Sequence, residues 1–162
     1  MEITNAFLPG VLGAIVTSHG QHYAKNWNFG TFFEAKVAHE IAEFASRFAS
    51  NDLVLLATDA EGVAASLILD LNDPVSGQRG AHLRWFISAD RCRGTGIGRS
   101  LMDRAVSHAD QHADGHIWLT TFAGLLPARH LYESYGFKLV SENEGQAWGT
   151  AVKEQEFHRL TS

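Results

Sequence analysis

The chain has a single cysteine among its 162 residues, Cys92, so an intramolecular disulfide and a cysteine-rich zinc site are both excluded. Proline is scarce, at three residues, and there is no internal repeat, low-complexity tract or long uninterrupted apolar segment. A membrane span is therefore not expected, and with no basic-then-apolar leader the expected location is the cytoplasm. Basic residues are few and scattered. Thirteen Lys and Arg against eighteen Asp and Glu give a net charge of −5 and a pI near 5.9, with no electrostatic footprint for nucleic acid. That balance suits a cationic acceptor such as an amine. What the chain does have is 45% hydrophobic content, enough for one core and one domain spanning 1–162.

The most informative stretch is Arg91-Cys92-Arg93-Gly94-Thr95-Gly96-Ile97-Gly98-Arg99, set between an apolar run at 83–87 and a long helical pattern. Glycines at 94, 96 and 98 keep side chains away from the backbone, so successive N–H groups can converge on an anion at a helix N-terminus. The spacing is not that of dinucleotide folds, and no Gly-Lys-Ser/Thr follows, so neither of the common phosphate-loop templates fits.

In chain order, Val11 to Ser18 reads as a first strand and Gln21 to Phe29 as a short, ring-rich helix and loop. Thr31 and Glu34 form the pattern of a capping box opening a helix to about Ser50, with Phe33, Val37, Ile41, Phe44 and Phe48 on its buried stripe. Runs at 53–58, 63–71 and 81–88 read as three adjacent antiparallel strands, the last feeding the glycine turn. A helix is expected from Ile97 to about Ala113, a strand at 116–122, and a helix opened by Pro127 and closed by Gly136. Strand-like segments at 137–141 and 146–160 finish the chain, separated by a turn at 142–145. The order β, α, α, β, β, β, α, β, α, β, β implies an α/β mixed sheet with helices on its faces.

Arg93-x-x-Gly96-x-Gly98 resembles the pyrophosphate-binding signature, Gln/Arg-x-x-Gly-x-Gly/Ala, of the GNAT superfamily of acyl-CoA N-acetyltransferases. Leu131-Tyr132-Glu133-Ser134-Tyr135-Gly136-Phe137 is similar to that family's closing Leu-Tyr-x-x-x-Gly-Phe helix, and it follows at the expected separation and in the expected element order. The resemblance covers nearly the whole chain. It implies the GNAT fold, a mostly antiparallel sheet splayed at its centre, and an acetyl-CoA-dependent enzyme with no metal. The N-terminal third, with His19-Gly20-x-x-Tyr23 and Phe33-Glu34, also resembles the acetyltransferase half of bacterial MarR–GNAT fusions, whose DNA-binding half is absent here. Many family members carry Asn where this chain has Leu125, which leaves the contact to the pantetheine arm open.

Acyl transfer to an amine needs a neutral amine, a stabilised oxyanion and a proton for the departing thiolate. The resemblance assigns the thiolate proton to Tyr132, which is otherwise a packed helix tyrosine. It gives CoA the backbone of Phe86, Ile87 and Ser88 and the turn from Arg93 through Gly94, Thr95, Gly96, Ile97 and Gly98 to Arg99. His82 and Arg84 share one strand face; Arg84 is a candidate substrate contact and His82 the candidate base, with a satisfied histidine or a base relayed by water as alternatives. His19, Tyr23 and Trp27, with Phe29 and Phe32, either line an acceptor pocket or form a second small core, and Glu34 is either an amine anchor or only a helix cap. His108, His112 and His116 recur at spacings of four and read as a solvated face, not a metal site. The expected partner is a small-molecule amine, with no nucleic acid and no membrane; a homodimer is left open. A non-catalytic acyl-CoA sensor and a protein N-acetyltransferase are the alternative functions.

Overall fold

The computed structural model describes residues 1–160; Thr161 and Ser162, counted in the single-domain expectation, lie outside the described residues. The elements run β1 (Glu2–Asn5), α1 (Val11–Trp27), α2 (Thr31–Ser46), β2 (Leu53–Asp59), β3 (Gly62–Asp70), β4 (Ala81–Ser88), a 3-10 turn (Asp90–Cys92), α3 (Ile97–His112), β5 (Ile117–Phe122), α4 (Leu126–Ser134), β6 (Phe137–Gly145) and β7 (Val152–Arg159). They build one seven-stranded sheet in the order β1-β2-β3-β4-β5-β7-β6. Every neighbouring pair is antiparallel except β4 and β5.

The N-terminal sixth departs from the sequence reading. Residues 11–18 are not a strand but the start of a 17-residue helix that also absorbs the expected short helix beyond residue 21, and the first strand is 2–5. Val11, Ile15, His19 and Gly20 are the buried positions, the first three at a spacing of four that lays one helical stripe on the sheet, where a strand would have buried every second residue. The capping box also does not form. Gly30 is the N-cap, no side chain caps the helix, and its carbonyl takes the Glu34 N–H. Helix α2 ends at Ser46, so Phe48 falls outside it and is exposed, while Phe33, Val37, Ile41 and Phe44 are buried as expected. At the other end β6 runs on through the expected turn to Gly145.

The alternation of β2 explains the layering. Leu53, Leu55 and Ala57 face α3, packing with Leu101, Met102 and Ala105, while Val54 and Leu56 face α1 and α2, packing with Ile15, Ile41 and Phe44. Burying both faces of the central strands fixes register, because a slip of one residue would exchange the two cores.

Two features of β4 position the site. It pairs with β5 only at Ala81↔Ile117 and His82↔Trp118, after which the strands part and leave the β5-facing edge of residues 83–88 unpaired. Its pairing with β3 jumps from Ile68↔Arg84 to Ser66↔Ile87, so Trp85 and Phe86 oppose the single residue Leu67 in a β-bulge. Trp85 sits at φ 48°, sparsely allowed for a bulky side chain. Its carbonyl accepts from Ser66 Oγ at 2.8 Å, and the Arg84 guanidinium lies 4.1 Å from its ring centroid, which hold the bulge in place.

Candidate functional site

The parting of β4 from β5 opens two clefts. The first, about 630 Å³, runs from the glycine turn along the end of β4, and Arg93, Gly98, Phe86, Ile87 and Ser88 line it together with Trp27 and Leu131. The second, about 600 Å³, lies under α1, α2 and the β6–β7 loop, and His19, Tyr23, His82, Arg84 and Tyr132 line it. Tyr23, Phe86, Leu125 and Ala128 line both. A molecule in one cleft therefore meets a molecule in the other where β4 has lost its strand partner.

The first cleft is built mostly from backbone. Gly94 and Gly96 have φ of 79° and 80°, a region open to glycine, and α3 starts immediately after Gly96. Thr95 and Arg93 donate their N–H groups to carbonyls of the 3-10 turn, whereas those of Gly94, Gly96, Gly98 and Arg99 take no acceptor among the described residues. A Cβ on Gly94 or Gly96 would meet nothing within 4 Å, so the space over the turn is open. Free amides at a helix N-terminus facing open space fit a pyrophosphate. Side chains contribute less. Ile97 is buried in the core, Thr95 Oγ1 donates to the Cys92 carbonyl, and Arg99 stacks over Tyr135, 5.5 Å from its centroid. Cys92 is buried beside the Ala64 carbonyl, a packing thiol.

The second cleft is built from side chains. Phe29, Phe33, Val37 and Phe122 form a small core, so this part of the ring cluster packs as a core does. Tyr23 stands at its edge with ring contacts to Phe29 and Phe33, while its hydroxyl has no partner among the described residues and burial pushes it up to about 12. Trp27 lies on the other side, in the first cleft and over Gly124, and Phe32 is 63% exposed against Gly149. Glu34 is not among the residues lining either cleft; its side chain packs against Gly20 of α1.

His19 Nδ1 lies 2.8 Å from the Ile15 carbonyl, which can only accept, so Nδ1 carries the hydrogen. Burial lowers its pKa to about 4, with the Ile15 bond acting the other way, and the ring is neutral at pH 7. His82 is held by Asp73 Oδ2 at 2.7 Å from Nδ1. Burial is the largest influence on it and lowers its pKa, with the Asp73 hydrogen bond opposing. Arg84 reaches Glu40 and Asp70 at 3.4 Å and Asp73 at 3.6 Å, and Asp70, 0% exposed, is gripped by Arg47 at 2.6 and 2.9 Å. Arg84 is thus engaged with the protein's own carboxylates.

Tyr132, on α4, is 6% exposed, with its ring packed on Phe137 and Phe157 at 5.7 and 6.3 Å. Its hydroxyl has no partner among the described residues, and burial, with Tyr23 nearby, pushes its pKa well above the usual phenol value. It therefore carries a proton at any physiological pH.

Sequence reasoning missed Asp73, Lys36, Glu40, Trp148 and Glu154, all of which line the second cleft. Asp73 follows Asn72 and precedes Pro74, a composition that reads as a turn; the others face the cleft only through helix and strand packing. Among the described residues no cluster of three or more His, Cys, Asp or Glu is placed to hold a metal, and His108 is bonded to the Asn51 carbonyl at 2.7 Å. No described helix is long and apolar enough to cross a membrane.

Comparison with known proteins gives the family and the fold. The model of the acetyltransferase (GNAT) family matches residues 17–137. No curated protein matches the chain. Among solved structures, a ribosomal-protein-alanine N-acetyltransferase from Brucella melitensis is similar at TM-score 0.76 and 18% identity, over 99% of this chain and 100% of that one. A GNAT-family acetyltransferase from Staphylococcus aureus gives 0.70 and 14% over 98% of each chain. A spermidine N-acetyltransferase variant from Vibrio cholerae gives 0.65 and 18% over 99% of this chain and 95% of that one. At these identities the structural likeness speaks for the fold.

Proposed function

The chain belongs to the GNAT acetyltransferase family, and from that premise we propose that it transfers the acetyl group of acetyl-CoA to the primary amine of a small molecule or amino acid, by direct attack in a ternary complex. One observation carries this reading: two clefts of similar size meet at Tyr23, Phe86, Leu125 and Ala128, beside the unpaired edge of β4 and the free hydroxyl of Tyr132. A sensor would need only the first cleft.

In this reading the free amides of Gly94, Gly96, Gly98 and Arg99 hold the pyrophosphate, and the pantetheine arm extends along the unpaired edge at Phe86, Ile87 and Ser88. Leu125 offers that arm an apolar contact in place of an amide. Backbone N–H groups of the bulged strand stabilise the oxyanion. The amine lone pair forms the C–N bond, the C–S bond breaks, the thiolate takes the Tyr132 proton, and the amine proton passes to His82 through the second cleft. Burial keeps Tyr132 protonated, and the same dry surroundings raise the proton affinity of the thiolate, so the transfer is not made uphill by burial alone.

The acceptor's apolar body packs against Tyr23, Phe33 and Trp148, which favours an aromatic or apolar amine over a polyamine. The test is thiol release from acetyl-CoA across a panel of aromatic amines, amino acids, spermidine and a peptide N-terminus. Turnover is expected with an aromatic or apolar amine. Tight acetyl-CoA binding with no thiol release for any member would replace the enzyme with a sensor, and a preference for spermidine would overturn the acceptor class.

A further inference from the structure

His82 is clamped in two directions, on one ring face and in the ring plane, by residues that share no element with it. Its ring stacks on the Trp118 indole, with centroids 3.7 Å apart and planes at 14°, and the Arg79 guanidinium covers Trp118 at 3.6 Å. Trp118 is itself fixed by its Nε1–H donating to Ser76 Oγ at 3.0 Å, and Arg79 by Glu156 of β7 at 3.1 Å. In the plane of the imidazole, Nδ1 lies 2.7 Å from Asp73 Oδ2. The other oxygen, Oδ1, accepts the Val75 N–H at 3.0 Å, so the carboxylate cannot turn away.

We propose that Asp73 is a positioning residue for the transfer: it fixes the hydrogen of His82 on Nδ1 and thereby leaves the Nε2 lone pair as the group that receives the amine proton. The proposal rests on the acetyltransferase reading for its chemistry, but not for its geometry. An ionised carboxylate can only accept, so its partner nitrogen must carry the hydrogen. The opposite tautomer would place two lone pairs against each other and could not take up a proton on the cleft side. As the new C–N bond forms, the nitrogen sheds one proton to Nε2, directly or through cleft water, and the imidazolium that results has its charge opposed by Asp73.

Other charged groups act on the same ring. Arg84 of β4 lies 3.6 Å from Asp73 Oδ2 and disfavours the imidazolium, Asp70 of β3 favours it, and Glu40 of α2 is bound to Arg84. Beyond Trp118, Glu156 and His158 of β7 pair at 2.5 Å, with Arg79 between them and the stack. None of these reaches Nδ1, so the tautomer is assigned to Asp73 alone.

Asp73→Asn is the decisive variant. Val75 N–H keeps the amide oxygen, which leaves the NH2 facing His82 Nδ1 and reverses the polarity of the bond with no change of shape. Nitrogen NMR of the side chain, with His82→Gln to assign it, is expected to show hydrogen on Nδ1 in the parent and on Nε2 in Asp73→Asn. Turnover with the best amine is expected to fall at least tenfold with little change in the acceptor KM, and Asp73→Glu to recover part of it. The acid limb of the pH profile is expected to move to lower pH, because the charge that supports the imidazolium is gone. A parent with hydrogen on Nε2, or an Asn variant within twofold of the parent, overturns the proposal. If no amine supports thiol release, the acetyltransferase reading fails, while the parent's tautomer still decides the role of Asp73 even where the variant does not fold.

Discussion

The two clefts are built by different means. The first is made of main-chain N–H groups, three glycines and an unpaired strand edge. The second is made of side chains drawn from α1, α2, the β3–β4 loop, β4, β5, α4 and the β6–β7 segment. In the proposed reading the backbone site recognises what is common to every CoA ester, and it tolerates side-chain change as long as its conformation survives. A side-chain site can be refitted to a new acceptor without disturbing the first. Such a division lets one fold keep one donor and exchange acceptors.

Tyr132, which lines the second cleft beside the residues that the two clefts share, should give the largest effect. Tyr132→Phe keeps the ring against Phe137 and Phe157 and deletes only the hydroxyl, so folding and acetyl-CoA affinity are expected to hold. Single-turnover rates are expected to fall by about a hundredfold to ten-thousandfold. A loss below about fivefold would mean that solvent protonates the thiolate and that the clefts meet without Tyr132 acting as the acid.

The next test is confined to the backbone site. Gly98 is helical with ordinary φ, and its Cβ would lie 3.6 Å from both Leu131 and Phe86. Gly98→Val therefore adds bulk to the cleft wall without strain, whereas Gly96→Val, at φ 80°, would confuse occupancy with backbone strain. Calorimetry is expected to show acetyl-CoA binding at least about tenfold weaker with the melting temperature nearly unchanged. Undiminished affinity would move the donor out of this cleft.

In the side-chain site, His19 gives a pH-dependent test. Its folded pKa, about 4, lies below the unfolded value near 6.5, so the unfolded chain binds more protons between those pH values. Stability is therefore expected to fall as pH drops from about 6.5 to 4 and to level off below, with His19 contributing on the order of 3 kcal/mol. His19→Asn preserves a donor for the Ile15 carbonyl but does not titrate. Chemical denaturation of parent and variant at several pH values isolates the contribution, since His82, also depressed by burial, is common to both. Parallel curves would show that His19 is hydrated when folded.

The same division decides what could be read from the sequence. A glycine turn is legible because the conformations it permits follow from the residues themselves, and the Leu131–Phe137 motif is legible because its elements are contiguous. Asp73 was not legible: its neighbours mark a turn, and only the folded sheet brings it to His82 across nine residues. Glu154 and Trp148 reach the second cleft because β7 inserts between β5 and β6, a non-local pairing that no window of sequence contains. The strand expected at 11–18 failed for a different reason. A short run of Val, Leu and Ile suits either structure, and the deciding spacing of Val11, Ile15 and His19 includes a histidine that hydropathy discounts.

The smallest expected effect is also the sharpest on the difference between the clefts. Arg93 is the one charged side chain of the signature that lines the first cleft, yet its guanidinium is 86% exposed and its only ion pair among the described residues, with Asp90, is long at 3.7 Å. A flexible cation in water recovers little free energy on meeting a phosphate, because it surrenders hydration and rotamer freedom and is screened by salt. The amides of Gly96 and Gly98 have no such freedom to lose, being fixed by the turn and the helix before any ligand arrives. Arg93→Ala is therefore expected to weaken acetyl-CoA binding by less than about fivefold at physiological ionic strength, with a somewhat larger loss at low salt. A loss equal to that of Gly98→Val, unaffected by salt, would mean that Arg93 becomes ordered and desolvated on binding, and that the donor site depends on a side chain as heavily as the acceptor site does.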